Sequence, residues 1–289
     1  MWHKNFAMQQ RTTRFRTDSP SKLKLLIITL AVTAALLSGP AKLSAQTIPL
    51  ANGFAHNDYW HKRPLFDALE NGFRYIEADI FLLHDRLIVA HTFPFFKSDR
   101  TLDRLYLKPL ANYIKNHPDD DYPITLMIDI KTSGNNTYEA LKPLLDKYAD
   151  IISGYEDGHF IQRRLTVVLS GHKPFKIVRR EQSRMVFIDE DLRKMDRDNF
   201  GSELYPIASC PYKALLQWDG NGHMPDNERK LLTSYVLKAH KLGKKVRLWA
   251  SPENKTVWTE LLTCGVDLIN TDQLAMLREF LNTSYAAAK

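Results

Sequence analysis

Eight short apolar runs, rich in β-branched and aromatic residues, constrain this chain more than any other feature. They read GFAHN (53–57), FRYIEADIFL (73–82), PITLMIDIK (123–131), LTVVLSG (165–171), RMVFID (184–189), LYPIAS (204–209), KKVRLWA (244–250) and GVDLINTD (265–272). Runs of this length and composition suit buried strands. Between several of them lie segments of helical period: 64–72, 138–152, 227–244 and 255–265. Three of these close on Gly72, Gly243 and Gly265, the residue type that most readily adopts the left-handed turn ending a helix. Strands alternating with helices, with no linker or low-complexity tract between them, predict a single-domain α/β fold, a (β/α)8 TIM barrel over residues 46–289. An open doubly wound sheet is the alternative. No GxGxxG or GxxxxGK[ST] follows any strand, which removes the nucleotide-binding versions of that sheet.

The N-terminus reads differently. Residues 1–45 carry seven Lys/Arg against one acid, Asp18, and then a 13-residue apolar run, Leu25–Leu37, followed by small residues. That order predicts a secretory signal peptide cleaved near Ala45 and an exported protein, periplasmic or secreted. The alternative is an uncleaved signal that anchors the chain to a membrane. Six of the seven net positive charges of the chain sit in this segment. The remainder is nearly neutral and has no basic stretch interleaved with aromatics, which excludes nucleic acid as the partner. Cys210 and Cys264 are the two cysteines. Their spacing matches neither a disulfide framework nor a structural zinc site.

In a barrel, polar residues at the C-terminal ends of strands face the site. Those positions hold His56 and Asn57, Glu77 and Asp79, Asp129 and Lys131, Ser170, Asp189, Ser209, Trp249 and Asp272. Glu77 and Asp79 are two apart on a strand and share a face. Their repulsion requires a cation or a raised pKa. With Asp129 and the Asn57 amide oxygen they form an all-oxygen set suited to one divalent cation, Ca²⁺ or Mg²⁺. The plainer reading is a half-buried strand whose acids pair with Arg74 or Lys131. His56 and His91 have the pKa of general acids and bases near neutral pH; taken singly, each also fits a surface or core histidine. Lys131 shares the face of Asp129 and is placed to hold a phosphate oxygen or to form an ion pair. Trp249 is expected to line the substrate pocket. Phe93, Phe95 and Phe96, right after His91, suit either loop packing or lipid chains.

The order His-Asn, Glu-x-Asp, a histidine 12 residues on, then Asp-x-Lys resembles the superfamily of phospholipase-C-like phosphodiesterases. This superfamily includes glycerophosphodiester phosphodiesterases, phosphatidylinositol-specific phospholipases C and venom-type sphingomyelinases D. The stretch AHNDY…PLFDALENGFRYIEADIFLLHDRLIVAH is similar to the first third of that barrel, and VRLWASPENKTVWTELLTCGVDLINTD to its last two strands. The resemblance implies that His56 and His91 form the acid–base pair and that Glu77, Asp79 and Asp129 hold the metal. Lys131 matches the lysine that follows this acid in the sphingomyelinases D. Asn57 stands where glycerophosphodiesterases usually have arginine, and is similar instead to the metal-touching asparagine of calcium-dependent phosphoinositide phospholipases C. The implied activity is that of a phosphoric diester hydrolase acting on glycerophosphodiester or phospholipid-like substrates, with contact to a membrane surface as a further expectation. Two other classes remain: a catalytically idle barrel that binds phosphorylated head groups, and a glycosidase-type barrel hydrolase.

Overall fold

A computed structural model describes residues 48–92, 97–197 and 200–287, all within one compact unit, Thr47–Lys289. The proposed signal segment and Phe93, Phe95 and Phe96 lie outside the described residues. In chain order the main elements are β1 (Gly53–Ala55), α1 (Phe66–Glu70), β2 (Tyr75–Leu83), β3 (Arg86–Val89), α2 (Lys108–Asn116), β4 (Ile124–Ile130) and α3 (Gly134–Asp146). There follow β5 (Gly154–Glu156), β6 (His159–Ile161), β7 (Leu165–Gly171), α4 (Phe175–Val178), β8 (Phe187–Asp191) and β9 (Ile207–Pro211). The chain ends with α5 (Asp226–Lys241), β10 (Lys245–Trp249), α6 (Lys255–Thr263), β11 (Leu268–Thr271) and α7 (Leu274–Ala287).

Eight of these strands run parallel in the order β1-β11-β10-β9-β8-β7-β4-β2, and β2 pairs back onto β1 to close the barrel. All eight expected strands are present. The departures from a regular (β/α)8 pattern lie in the connections. β8 and β9 are each followed by a single 3₁₀ turn, Leu192–Lys194 and Tyr212–Ala214, rather than directly by an α-helix. Two antiparallel hairpins are added. β3 folds back on β2, and β5 pairs with β6.

Three strands, β8, β9 and β11, begin three residues later than their apolar runs suggest. Before β8, Arg184 makes only an isolated bridge to Tyr155. The strand then runs on through Asp189, Glu190 and Asp191, a trio of acids that would ordinarily argue against a strand. Glu190 is neutralised by the fully buried Lys244 at 2.6 Å, and Asp189 accepts from Ser209 at 2.5 Å. α3 begins four residues earlier than its apolar spacing suggests, at Gly134, where a side chain would collide with the backbone of His172. Gly243 and Gly265 have φ of 70° and 88°, as expected for residues that end helices.

The barrel interior is layered. Phe54, Met127, Val168, Phe187, Ile207 and Leu268 form an apolar cluster inside it. Next to this plug stands Arg247, its guanidinium 4.2 Å from the Phe54 ring centroid and bonded to Glu77 Oε1 (3.3 Å) and Asn270 Oδ1 (3.1 Å). The larger core packs the outer strand faces against the helices. Cys210 and Cys264 are buried and unpaired.

Candidate active site

Strand register builds the site. β2 and β4 pair with Asp79 opposite Asp129, and β4 and β7 pair with Asp129 opposite Ser170. Glu77 lies two residues back from Asp79 on the same strand face, so three carboxylates gather at the ends of two adjacent strands. One oxygen from each of Glu77, Asp79 and Asp129 lies within 4.8 Å of the other two. Gly171, at the end of β7 with φ of 66°, leaves the room: a Cβ there would overlap Asp129 Oδ1 and the Ile130 carbonyl.

His91 arrives by the β2–β3 hairpin. His84 and Asp85 both have positive φ at its turn, the twist that lets a two-residue connection return a strand along its neighbour. Ala90 N then bonds Asp79 O at 3.2 Å, which brings His91 Nδ1 to 3.1 Å from Asp79 Oδ2. His56 comes from the other side, directly after β1, with its backbone nitrogen on Thr271 O. Its Nδ1 lies 2.7 Å from Asp272 Oδ1 and its Nε2 3.5 Å from Glu77 Oε2. Asn57 takes a left-handed conformation (φ 47°, ψ 33°) that turns the chain into the 3₁₀ turn Asp58–Trp60.

These residues border one cavity of about 540 Å³, which is also lined by Ser170, Asp189, Ser209 and Trp249. Every strand-end position singled out in the sequence reaches this cavity except Asp272, which touches it through His56. Lys131 is no free cation: its Nζ is 3.0 Å from Asp79 Oδ2 and 3.3 Å from Asp129 Oδ1. Arg74, the other expected partner of the acids, pairs instead with Asp120 at 3.0 Å. Trp249 is 39% exposed at the rim.

The electrostatics follow from burial and crowding. Burial, then the charge of Glu77, pushes the Asp79 carboxyl above its ordinary value against the pull of Lys131. Burial alone would lower His56, but the Asp272 hydrogen bond and the Glu77 charge outweigh it and the net shift is upward. Partial burial alone would raise Asp272, but the hydrogen bond and charge of His56 and the Asn57 bond together outweigh it, and the net shift is downward. Glu77 Oε2 and Asp129 Oδ1 are buried and accept no directed hydrogen bond, with His56 Nε2 at 3.5 Å from the first and Lys131 Nζ at 3.3 Å from the second. Carboxylate oxygens that accept no directed hydrogen bond, in a cluster of three acids, fit a hard divalent cation that takes oxygen ligands. The donor set therefore suits the metal that the sequence implied.

Sequence reasoning passed over Tyr59, Arg247 and Gly171. Arg247 had a signal, a charge set between Val246 and Leu248 in the middle of a strand.

A model of the AIM6-like phosphodiesterase domain matches residues 41–121 and 117–189, just over half of the chain. The chain belongs to this family. It thereby falls in the phospholipase-C-like phosphodiesterase superfamily, and at that level its chemistry is that of a phosphoric diester hydrolase. A protein of Eremothecium gossypii named "Altered inheritance of mitochondria protein 6" is 29% identical over 84% of this chain and 72% of its own length. A homologue of that name from Arthroderma benhamiae is 28% identical over 76% of this chain and 80% of its own. Among solved structures, a calcium-dependent phosphoinositol-specific phospholipase C from a Pseudomonas species shares the fold. It superposes with a TM-score of 0.52 at 14% identity, over 81% of this chain and 93% of that one.

The relatives correct one expectation. Their name ties them to inheritance of an intracellular organelle, which overturns the reading of this chain as an exported protein. The misreading has a physical source, since a basic, acid-poor N-terminus is common to secretory and organelle-targeting segments.

Proposed function

We propose that this protein is a metal-dependent phosphodiesterase in which His56 and His91 move the protons, acting on glycerophosphodiester or phospholipid-like substrates. The observation that carries the proposal is the meeting of two histidines from opposite sides on one cluster of three carboxylates, two of whose buried oxygens accept no directed hydrogen bond. Glu77, Asp79 and Asp129 would hold the cation, with Asn57 beside them. Bound there, a divalent ion would offset the charge that builds on the phosphoryl oxygens.

The chain's own residues do the rest. One imidazole accepts the proton of the attacking hydroxyl or water, and the other donates to the departing oxygen. Asp272 holds the His56 ring, and Asp79 holds His91. Lys131 brings a positive charge to the same wall, where a phosphate oxygen would sit. Trp249 at the rim offers an apolar face to the remainder of the substrate. The calcium dependence and phosphoinositol specificity in the name of the Pseudomonas enzyme support a metal-using reading and a phospholipid-like substrate.

The test is turnover of purified protein on a panel of glycerophosphodiesters and phospholipids, with Ca²⁺ or Mg²⁺ and with chelator. Hydrolysis that the chelator abolishes is the expected result. Full turnover in excess chelator removes the metal from the proposal, and no turnover on any phosphodiester removes the activity.

A further inference from the structure

Tyr59 has no place in the chemistry above, yet its hydroxyl stands at the centre of the site. Oη lies 2.6 Å from Asn57 Oδ1, 2.8 Å from Asp79 Oδ2 and 2.9 Å from His91 Nδ1. The residue is held firmly: its side chain is buried, and its carbonyl accepts from Arg100 Nη2 at 2.6 Å. The Tyr59 and His91 rings lie nearly parallel, with an interplanar angle of 25°.

A phenol offers one proton and two lone pairs. Two of its three neighbours are acceptors only. Asn57 turns its amide nitrogen toward Asp272, at 3.3 and 3.4 Å from the two carboxylate oxygens, which leaves Oδ1 for Tyr59. An ionised Asp79 carboxylate likewise only accepts. The single hydroxyl proton serves one of them; Lys131 Nζ also reaches Asp79 Oδ2, at 3.0 Å, and the ring nitrogen that faces both Asp79 Oδ2 and Tyr59 Oη belongs to His91. With the ring proton on Nδ1, His91 serves Asp79 Oδ2 at 3.1 Å and Tyr59 Oη at 2.9 Å. With the proton on Nε2, the Nδ1 lone pair would face a carboxylate, and one phenol proton would have three acceptors.

We infer that Tyr59 is a positioning residue: wedged among Asn57, Asp79 and His91, its hydroxyl sets the His91 ring orientation and the Nδ1–H tautomer. His91 then presents an unprotonated Nε2 to the cavity. The consequence for turnover rests on the acid–base role proposed for His91, whereas the tautomer does not.

The experiment uses full-length protein labelled with ¹⁵N-histidine, at a pH where the imidazole is neutral. Long-range ¹H–¹⁵N correlations report which ring nitrogen of His91 carries the proton. Nδ1–H in the wild type is expected, and Nε2–H there overturns the inference without any variant. Tyr59→Phe keeps the ring and removes the hydroxyl. It should mix the two tautomers and lower kcat about 10–100-fold with KM little changed, the usual effect of losing a group that orients a site residue. A Tyr59→Phe protein with a lower Tm but the wild-type tautomer ratio assigns Tyr59 a structural role only and overturns the inference. If the wild type hydrolyses no phosphodiester, the proposed function falls and the tautomer measurement still decides the role of Tyr59.

Discussion

His56 Nδ1 and Asp272 Oδ1 meet at 2.7 Å although 216 positions separate them in the chain. Parallel pairing of β1 with β11, with Ala55 opposite Thr271, makes the contact where the first and last strands lie side by side. Glu253 fixes the acid's backbone, accepting from Asp272 N at 3.0 Å and from Thr271 Oγ1 at 2.5 Å. The pair raises His56 and lowers Asp272, so its stabilisation needs a protonated imidazole and an ionised carboxylate together. It is fully present between the ordinary aspartate and histidine values. It fades as pH rises through the raised His56 pKa, and as pH falls through the lowered Asp272 pKa.

Asp272→Asn should therefore lower stability in mildly acidic solution and leave it unchanged in alkaline solution. Both groups are partly exposed, so the difference should be about 1 kcal/mol or less. In the same variant, the pH–rate limb that belongs to His56 should move to lower pH. Denaturant melts across pH, with rate profiles alongside, check both. A stability loss that persists unchanged at alkaline pH would show that Asp272 matters for packing rather than for charge.

His91→Ala removes an imidazole that touches the acid cluster from outside, 3.1 Å from Asp79, and is itself about half exposed. Turnover should fall by roughly 10² to 10⁴, the range for losing a general acid or base. Calcium affinity by titration calorimetry should stay close to that of the wild type. A large loss of affinity with little loss of kcat would make His91 a support for Asp79 rather than a proton carrier.

Much of this was legible in the chain itself. Each of the eight barrel strands announced itself as an apolar run, and Glu77, Asp79 and Asp129 lay at strand ends where a barrel gathers its chemistry. The partnership of Asp272 with His56 was not legible, because it depends on the first and last strands lying side by side. Tyr59 was hidden for another reason. A tyrosine in a loop after His-Asn reads as an ordinary packing aromatic, and only the left-handed turn at Asn57 brings its hydroxyl back onto Asp79. The 3₁₀ turns directly after β8 and β9 were hidden as well, since segments of three residues carry no period.

Lys131 presents a test of charge balance. Its ammonium contacts two of the three acids, so part of the charge that a divalent ion would neutralise is already offset. Lys131→Met should thus tighten calcium binding measured directly, while lowering turnover through loss of a phosphate contact. The pH dependence has a fixed sign. Asp79 is raised by burial and by Glu77, and a protonated carboxyl is a poor ligand, so affinity should weaken as pH falls. Weaker calcium binding in Lys131→Met would mean that the lysine organises the carboxylates instead of competing with the ion.

Gly171 separates backbone strain from site geometry. Its φ of 66° is disfavoured for any residue with a Cβ, by about 1–2 kcal/mol. Gly222 has nearly the same φ, 63°, but nothing lies within 4 Å of where its Cβ would stand. Gly222→Ala should therefore show the backbone term alone, with calcium affinity and turnover intact. Gly171→Ala adds an overlap with Asp129 Oδ1, and Asp129 must turn away from Glu77 and Asp79 to relieve it. Its Tm should fall at least as far as that of Gly222→Ala, and calcium affinity should fall about 10-fold or more, as when a metal ligand loses its orientation. Equal calcium binding in the two variants would show that Asp129 is not held at the site by the space that Gly171 leaves.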